Sequence, residues 1–225
     1  MNGKLCAAIV SSNPESMIQS AREALSLGAD LVEFRLDHLD KINGSLPSML
    51  REFSDKCIIT IREKNQGGAF KGSEQERLAL LRSFSLIHPL YIDIELDAAE
   101  QNPKVVRELS KGAQNVIVSY HDFSSTPDLD MLISIYNRQS AIGGISKLIT
   151  TAKSAQDNIN ILSLYKKVKP NGKLISFAMG DLGVLTRILC LYAGSPVSYV
   201  SFGKRASAPG QIPLEVMKNL IADPQ

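Results

Sequence analysis

The stretch "ISKLIT" (145–150) sets a lysine, Lys147, among apolar and β-branched residues. Its neighbours favour a pleated strand, and a strand apolar on both faces belongs to a parallel sheet covered by helices. An ammonium is costly to hold in such surroundings unless it points into a polar interior. The question is which fold supplies one.

Seven more short apolar runs flank this one: "LCAAIV" (5–10), "LVEFRL" (31–36), "CIITIR" (57–62), "YIDIEL" (91–96), "NVIVSYH" (115–121), "LISFAM" (174–179) and "YVSFG" (199–203). Between them lie segments with helical periodicity. "NPESMIQSAREALSLG" (13–28) opens with an Asn cap and a proline and closes at Gly28. Helices are also predicted at 72–88, 125–139, 154–168 and 182–194, with weaker signals at 46–53, 103–110 and after the last strand. Eight strand–helix units predict an α/β chain folded as one (β/α)8 TIM barrel, a single domain over 1–225. A doubly wound open sheet is the alternative, but no Gly-x-Gly-x-x-Gly follows the first strand, which removes the usual support for a dinucleotide site.

Charge and composition exclude other classes. A net charge of +2 with dispersed basic residues gives no electrostatic case for nucleic acid or an anionic membrane. Three cysteines, Cys6, Cys57 and Cys190, stand far apart without ligand spacing, so they read as core residues of a reduced protein. The apolar run near the N-terminus is too short for a signal peptide or membrane span, and a cytoplasmic protein is expected.

Polar residues gather where barrel enzymes keep their chemistry, at strand C-terminal ends. Glu33, Arg35 and Asp37 share one parity, Thr60 and Arg62 another, and Asp93, Glu95 and Asp97 alternate with apolar residues. Ser119 and His121 share a face, and Lys147 sits one strand later at a similar level. Each residue also has a structural reading. Arg35 with Glu33 or Asp37 reads as a barrel ion pair, Asp93 and Glu95 as partners of the arginines, and His121 as a hydrogen-bonded core residue. His38 and His88 read as peripheral.

Burial and neighbouring cations favour the neutral amine of Lys147, which can attack a ketone and form a Schiff base. His121 is the acid/base partner in reach, and Arg35, Arg62 and Arg187 suit a carboxylate. These residues point to Schiff-base chemistry on a small keto acid, with aldol cleavage and dehydration both open.

The chain resembles the type I 3-dehydroquinate dehydratases of the shikimate pathway of aromatic amino-acid biosynthesis along nearly its whole length. The matching pieces are "EFRLD" (33–37), "TIR" (60–62) before Gly67-Gly68, "SYHDF" (119–123), "ISK" (145–147), "MGDLGVLTR" (179–187) and "ASAPGQI" (206–212). The resemblance implies a barrel lyase, commonly dimeric, with no metal or organic cofactor. It implies an imine between Lys147 and 3-dehydroquinate, with His121 as general acid/base and Arg187 on the carboxylate. Glu33, Arg35 and Arg62 match residues that hold ring hydroxyls, Ser207 and Gln211 a closing loop, and Ser11 a substrate-contacting serine. A class I aldolase-like barrel and an inactive binding barrel are the alternatives.

One position departs from the family pattern. Many members carry a glutamate just before the glycine pair, where it orients the histidine; here Gln66 stands there. An amide can hydrogen-bond an imidazole but cannot neutralise an imidazolium. Gln66 is expected to orient only, with Glu63 the nearby acid able to substitute.

Overall fold

The computed structural model describes residues 3–203 and 208–222. Its strands are β1 (Lys4–Ile9), β2 (Leu31–Arg35), β3 (Cys57–Thr60), β4 (Tyr91–Glu95), β5 (Asn115–His121), β6 (Ile145–Thr151), β7 (Leu174–Met179) and β8 (Val197–Ser201). Its helices are α1 (Pro14–Ser26), α2 (Leu46–Leu50), α3 (Glu74–Ser85), α4 (Leu96–Gln101), α5 (Pro103–Gly112), α6 (Leu129–Ile142), α7 (Ala155–Val168), α8 (Val184–Tyr192) and α9 (Leu214–Ile221). The expected strand–helix alternation is therefore present from end to end. No helix among the described residues is long and apolar enough to cross a membrane.

All eight strands run parallel in one sheet, ordered β7-β6-β5-β4-β3-β2-β1-β8. The barrel is nearly closed: β1 joins β8, but no ladder joins β7 to β8. Side chains and α8 span this seam instead. The rings of Phe177 and Tyr199 meet across it at 6.2 Å between centroids. Thr186 Oγ1 accepts from Ala178 N of β7 at 2.8 Å, and the carbonyl of Arg187 accepts from Ser198 Oγ of β8 at 2.6 Å. Consecutive residues of one helix thus bind the two strands that flank the seam.

The helices start where short polar side chains satisfy free backbone N–H groups. Asn13 accepts from Ser16 N, Asp128 accepts from Met131 N, and Ser73 and Ser154 form reciprocal capping boxes with Glu76 and Asp157. Their apolar faces pack on the outward side chains of the strands, and polar groups occupy the axis at the C-terminal end of the barrel.

Several expected boundaries change, and those of β4, β2 and β8 bear on the site. β4 ends at Glu95 and the chain turns directly into α4, so Asp97 is not on the barrel face; it lies exposed in the first helical turn, 3.4 Å from Arg138. An acid there is favoured by the helix dipole, which ends the alternation seen in sequence. β2 ends at Arg35, yet a 3₁₀ turn over Leu36–His38 still buries Asp37 beside it. β8 starts at Val197, two residues before the expected start.

Candidate active site

Seven of the expected residues line one cavity of about 50 Å³ at the barrel's C-terminal end: Glu33, Arg35, Arg62, His121, Lys147, Arg187 and Gln211. Ile149, Phe177, Tyr199 and Ala208 complete it. A wider hollow of about 680 Å³ lies between the turn after β2 and α3, and it meets the site through Asp37, the partner of Arg35.

A chain of alternating charges runs through the barrel. Lys147 Nζ lies 3.1 Å from Asp93 Oδ2 and 3.4 Å from Glu33 Oε1. The other oxygen of Asp93 faces Arg62 Nη2 at 2.9 Å, and Arg62 Nη1 donates to Glu95 at 3.0 Å. Glu95 in turn pairs with the buried Arg77 of α3, whose guanidinium also donates twice to the half-exposed Glu74 at 2.7 Å. Thr60 donates to Glu33 at 2.9 Å and Ser119 to Asp93 at 2.6 Å. Every charge in this chain therefore has an opposite neighbour, as burial requires. Burial alone would raise the carboxyl of Asp93, but Arg62 and Lys147 hold it well below the usual range.

The charges nearest Lys147 are thus carboxylates rather than the arginines expected to crowd it. Lys147 is also placed by its backbone. The buried Gln139 of α6 donates to the carbonyls of Val118 at 2.9 Å and of Lys147 at 2.8 Å, fixing β5 against β6. Arg35 pairs with Asp37 through two bonds of 3.0 and 2.8 Å, one of the two partners open from sequence.

His121 is on the same face as Lys147 but one layer further toward the mouth, since the register pairs Ser119 with Lys147 and His121 with Ile149. Burial, then Arg62 and Lys147, hold its imidazole well below 6.5, with Asp93 pulling the other way. It is therefore neutral near pH 7 and able to accept a proton. Its Nδ1 is buried without a hydrogen-bond partner among the described residues, and so is Oε1 of Gln66. Phe123 is stacked on His121 with 6.1 Å between ring centroids and is seated against Gly67. Gly67 has φ +74°, and a Cβ there would meet the Phe123 ring at 2.1 Å; a Cβ on Gly68 would meet the carbonyl of Arg62 at 2.0 Å. The glycine pair lets the turn after β3 close onto both residues.

Arg187 differs from the other cations. It is buried, no carboxylate pairs with it among the described residues, and its Nε has no partner. Nη2 donates to the carbonyl of Pro209 at 3.0 Å, and the guanidinium stacks on Phe177 at 4.4 Å. Burial draws it down from 12.5 to about 10. A buried fork of donors with no anion is a receptor for one.

Three expected residues stand apart. Ser11 bonds Asn13 in the turn before α1 and does not line the cavity. Gln66 lies in the 3₁₀ turn Lys64–Gln66 and does not line the cavity. Ser207 falls outside the described residues. Tyr199, Phe177, Arg77 and Gln139 are not among the residues that the sequence marks. Strand parity marks Phe177 in retrospect, while Arg77 and Gln139 sit in ordinary helical patterns with no local signal.

Fold and site together define a (β/α)8-barrel enzyme built around a buried lysine, a neutral histidine and an unpaired arginine. The profile of one family, Type I 3-dehydroquinase, matches residues 5–222. The 3-dehydroquinate dehydratase of Methanococcus maripaludis is 39% identical over 220 residues, covering 96% of this chain and 98% of its own. That of Methanocaldococcus jannaschii is 36% identical over 218 residues, covering 96% of both. Among solved structures, the 3-dehydroquinate dehydratase of Geobacillus kaustophilus superposes with a TM-score of 0.89 at 26% identity, over 97% of this chain and 90% of that one. The enzyme of Aquifex aeolicus gives 0.81 at 29%, over 96% of both. The chain belongs to the type I 3-dehydroquinase family of hydro-lyases.

Proposed function

We propose that the chain converts 3-dehydroquinate to 3-dehydroshikimate through an imine on Lys147. The observation that carries this reading is one small cavity holding a lysine amine, a neutral imidazole and an arginine without a counter-ion. Arg187 binds the substrate carboxylate, which sets the C3 ketone toward Lys147. Lys147 gives a proton to neutral His121, the freed amine attacks that carbon, and His121 returns the proton as water leaves to give the imine. Neutral His121 takes the C2 proton, the electron pair passes into an enamine, and the C1 hydroxyl leaves as water with the proton that His121 returns. Hydrolysis of the imine frees the product and the lysine.

Glu33, Arg35 and Arg62 orient the ring hydroxyls, and Gln211 with Ser207 closes the loop over them. Gln66 orients His121 once the loop is loaded, and Ser11 contacts substrate only if the β1 turn moves inward. The three cysteines, all free and buried, suit a reducing cytoplasm. The protein works as a homodimer. Leu182 in the 3₁₀ turn before α8 and Leu185, Leu189 and Tyr192 on α8 are each 41–63% exposed, and the span 182–194 carries no charge but the buried Arg187.

The test is borohydride reduction during turnover of 3-dehydroquinate, followed by peptide mass mapping. A mass increase on the peptide holding Lys147 is expected. Its absence would end the imine reading, and faster turnover of a different ketone would end the substrate reading alone.

A further inference from the structure

Tyr199 is inside the barrel, and two observations set it apart. Its ring lies under the lysine, with Lys147 Nζ 4.3 Å from the ring centroid. Its hydroxyl is buried with no hydrogen-bond partner among the described residues. A buried hydroxyl without a partner is unfavourable, and phenylalanine would fill the same volume without that penalty. In the unloaded site the hydroxyl is therefore an idle donor on a residue that lines the same cavity as Glu33.

Two carboxylates, Asp93 and Glu33, are both served by Lys147 through separate N–H groups at 3.1 and 3.4 Å. An ammonium has three N–H donors. Resting on the imine reading above, the same nitrogen keeps at most one N–H after condensation with a ketone. Asp93 keeps Arg62 and Ser119 as partners, so Glu33, left with the Thr60 hydroxyl, is the carboxylate that loses its cation inside the barrel, where an unpaired charge is most unfavourable.

We infer that Tyr199 is a positioning residue for the covalent step: its ring face seats the amine of Lys147 before attack, and its hydroxyl replaces the amine as donor to the carboxylate that imine formation strands. Electrostatics supports the exchange. Burial, then the charge of Glu33, then Cys6 and Asp93, push the phenol well above its ordinary 10, so it stays a protonated donor. The ring attraction for a cation falls as the amine gives up its charge, which releases Lys147 toward the substrate.

Tyr199→Phe and Tyr199→Leu in the full-length enzyme test this. The phenylalanine variant keeps the ring and loses only the donor. It is expected to unfold in urea at the same or slightly higher concentration than the parent, to keep KM within about twofold, and to lose about tenfold in kcat. Borohydride trapping at Lys147 should slow in parallel. The leucine variant loses the ring as well and should fall further in trapping rate.

A phenylalanine variant with parental kcat and trapping rate overturns the donor exchange. One that is clearly less stable without substrate overturns it too, because the hydroxyl then has a resting partner. Failure of the imine reading shows differently, as no trapping at Lys147 in the parent enzyme.

Discussion

Lys147 Nζ lies 3.1 Å from Oδ2 of Asp93, and Arg62 Nη2 lies 2.9 Å from the other oxygen of the same carboxylate. One buried anion thus keeps two buried cations apart. Asp93→Asn removes that anion and keeps the shape. Breaking a buried pair on one side costs about 3–5 kcal/mol, so the urea midpoint should fall sharply, with activity lost even where the protein still folds. A variant as stable as the parent would show that Glu33 and Glu95 suffice as counter-ions.

Arg187 is expected to act on substrate affinity more than on turnover. Arg187→Met should raise KM by about 10–100-fold, the loss of charged hydrogen bonds to one carboxylate. Arg187→Lys should lie between, since a point charge lacks the fork. A carboxamide analogue of the substrate should lose its handicap in the methionine variant; if the handicap persists, another group reads the carboxylate.

His121 governs the acid side of the pH profile. Its folded value lies well below 6.5, so kcat/KM should stay level from pH 8 down past 6.5 before the acid limb begins. Stability follows a different course. The unfolded chain protonates its histidine near 6.5 while the folded chain does not, so more protons bind the unfolded state and stability falls as pH drops below 6.5. The slope is at most about 1.4 kcal/mol per pH unit for this one group. In His121→Gln that component of the decline between pH 7 and 5 should vanish, as measured by urea unfolding at each pH.

Gln66→Glu is expected to move the acid limb toward higher pH, because a carboxylate near the imidazole stabilises its charged form. Gln66→Ala should lower kcat with the limb unmoved, since an orienting amide contributes geometry and no charge. Full activity with an unchanged profile in the alanine variant would remove Gln66 from the site.

The barrel was legible because its eight strands keep alternating with capped helices, and their polar ends obey period two. Glu33, Arg62, His121 and Lys147 converge for that reason. The same rule failed at Asp97, where the backbone turned helical one residue after Glu95. Tyr199 was hidden by a boundary: with β8 read from residue 199 rather than Val197, it stood at a strand's first position, where facing is undefined. Arg77 was hidden by distance. It reaches Glu95 from α3, eighteen residues away in sequence, and such pairings leave no local pattern.

The missing ladder between β7 and β8 gives the substrate a mechanical part to play. Arg187 stands on the helix that bridges that gap, its carbonyl tied to β8 and its guanidinium laid on Phe177 of β7. An anion seated on Arg187 would press these two loose staves together, as a keystone locks an arch. The ligand would then finish a wall that the backbone leaves unfinished, and protection of the β7 and β8 amides against hydrogen exchange should rise when it binds.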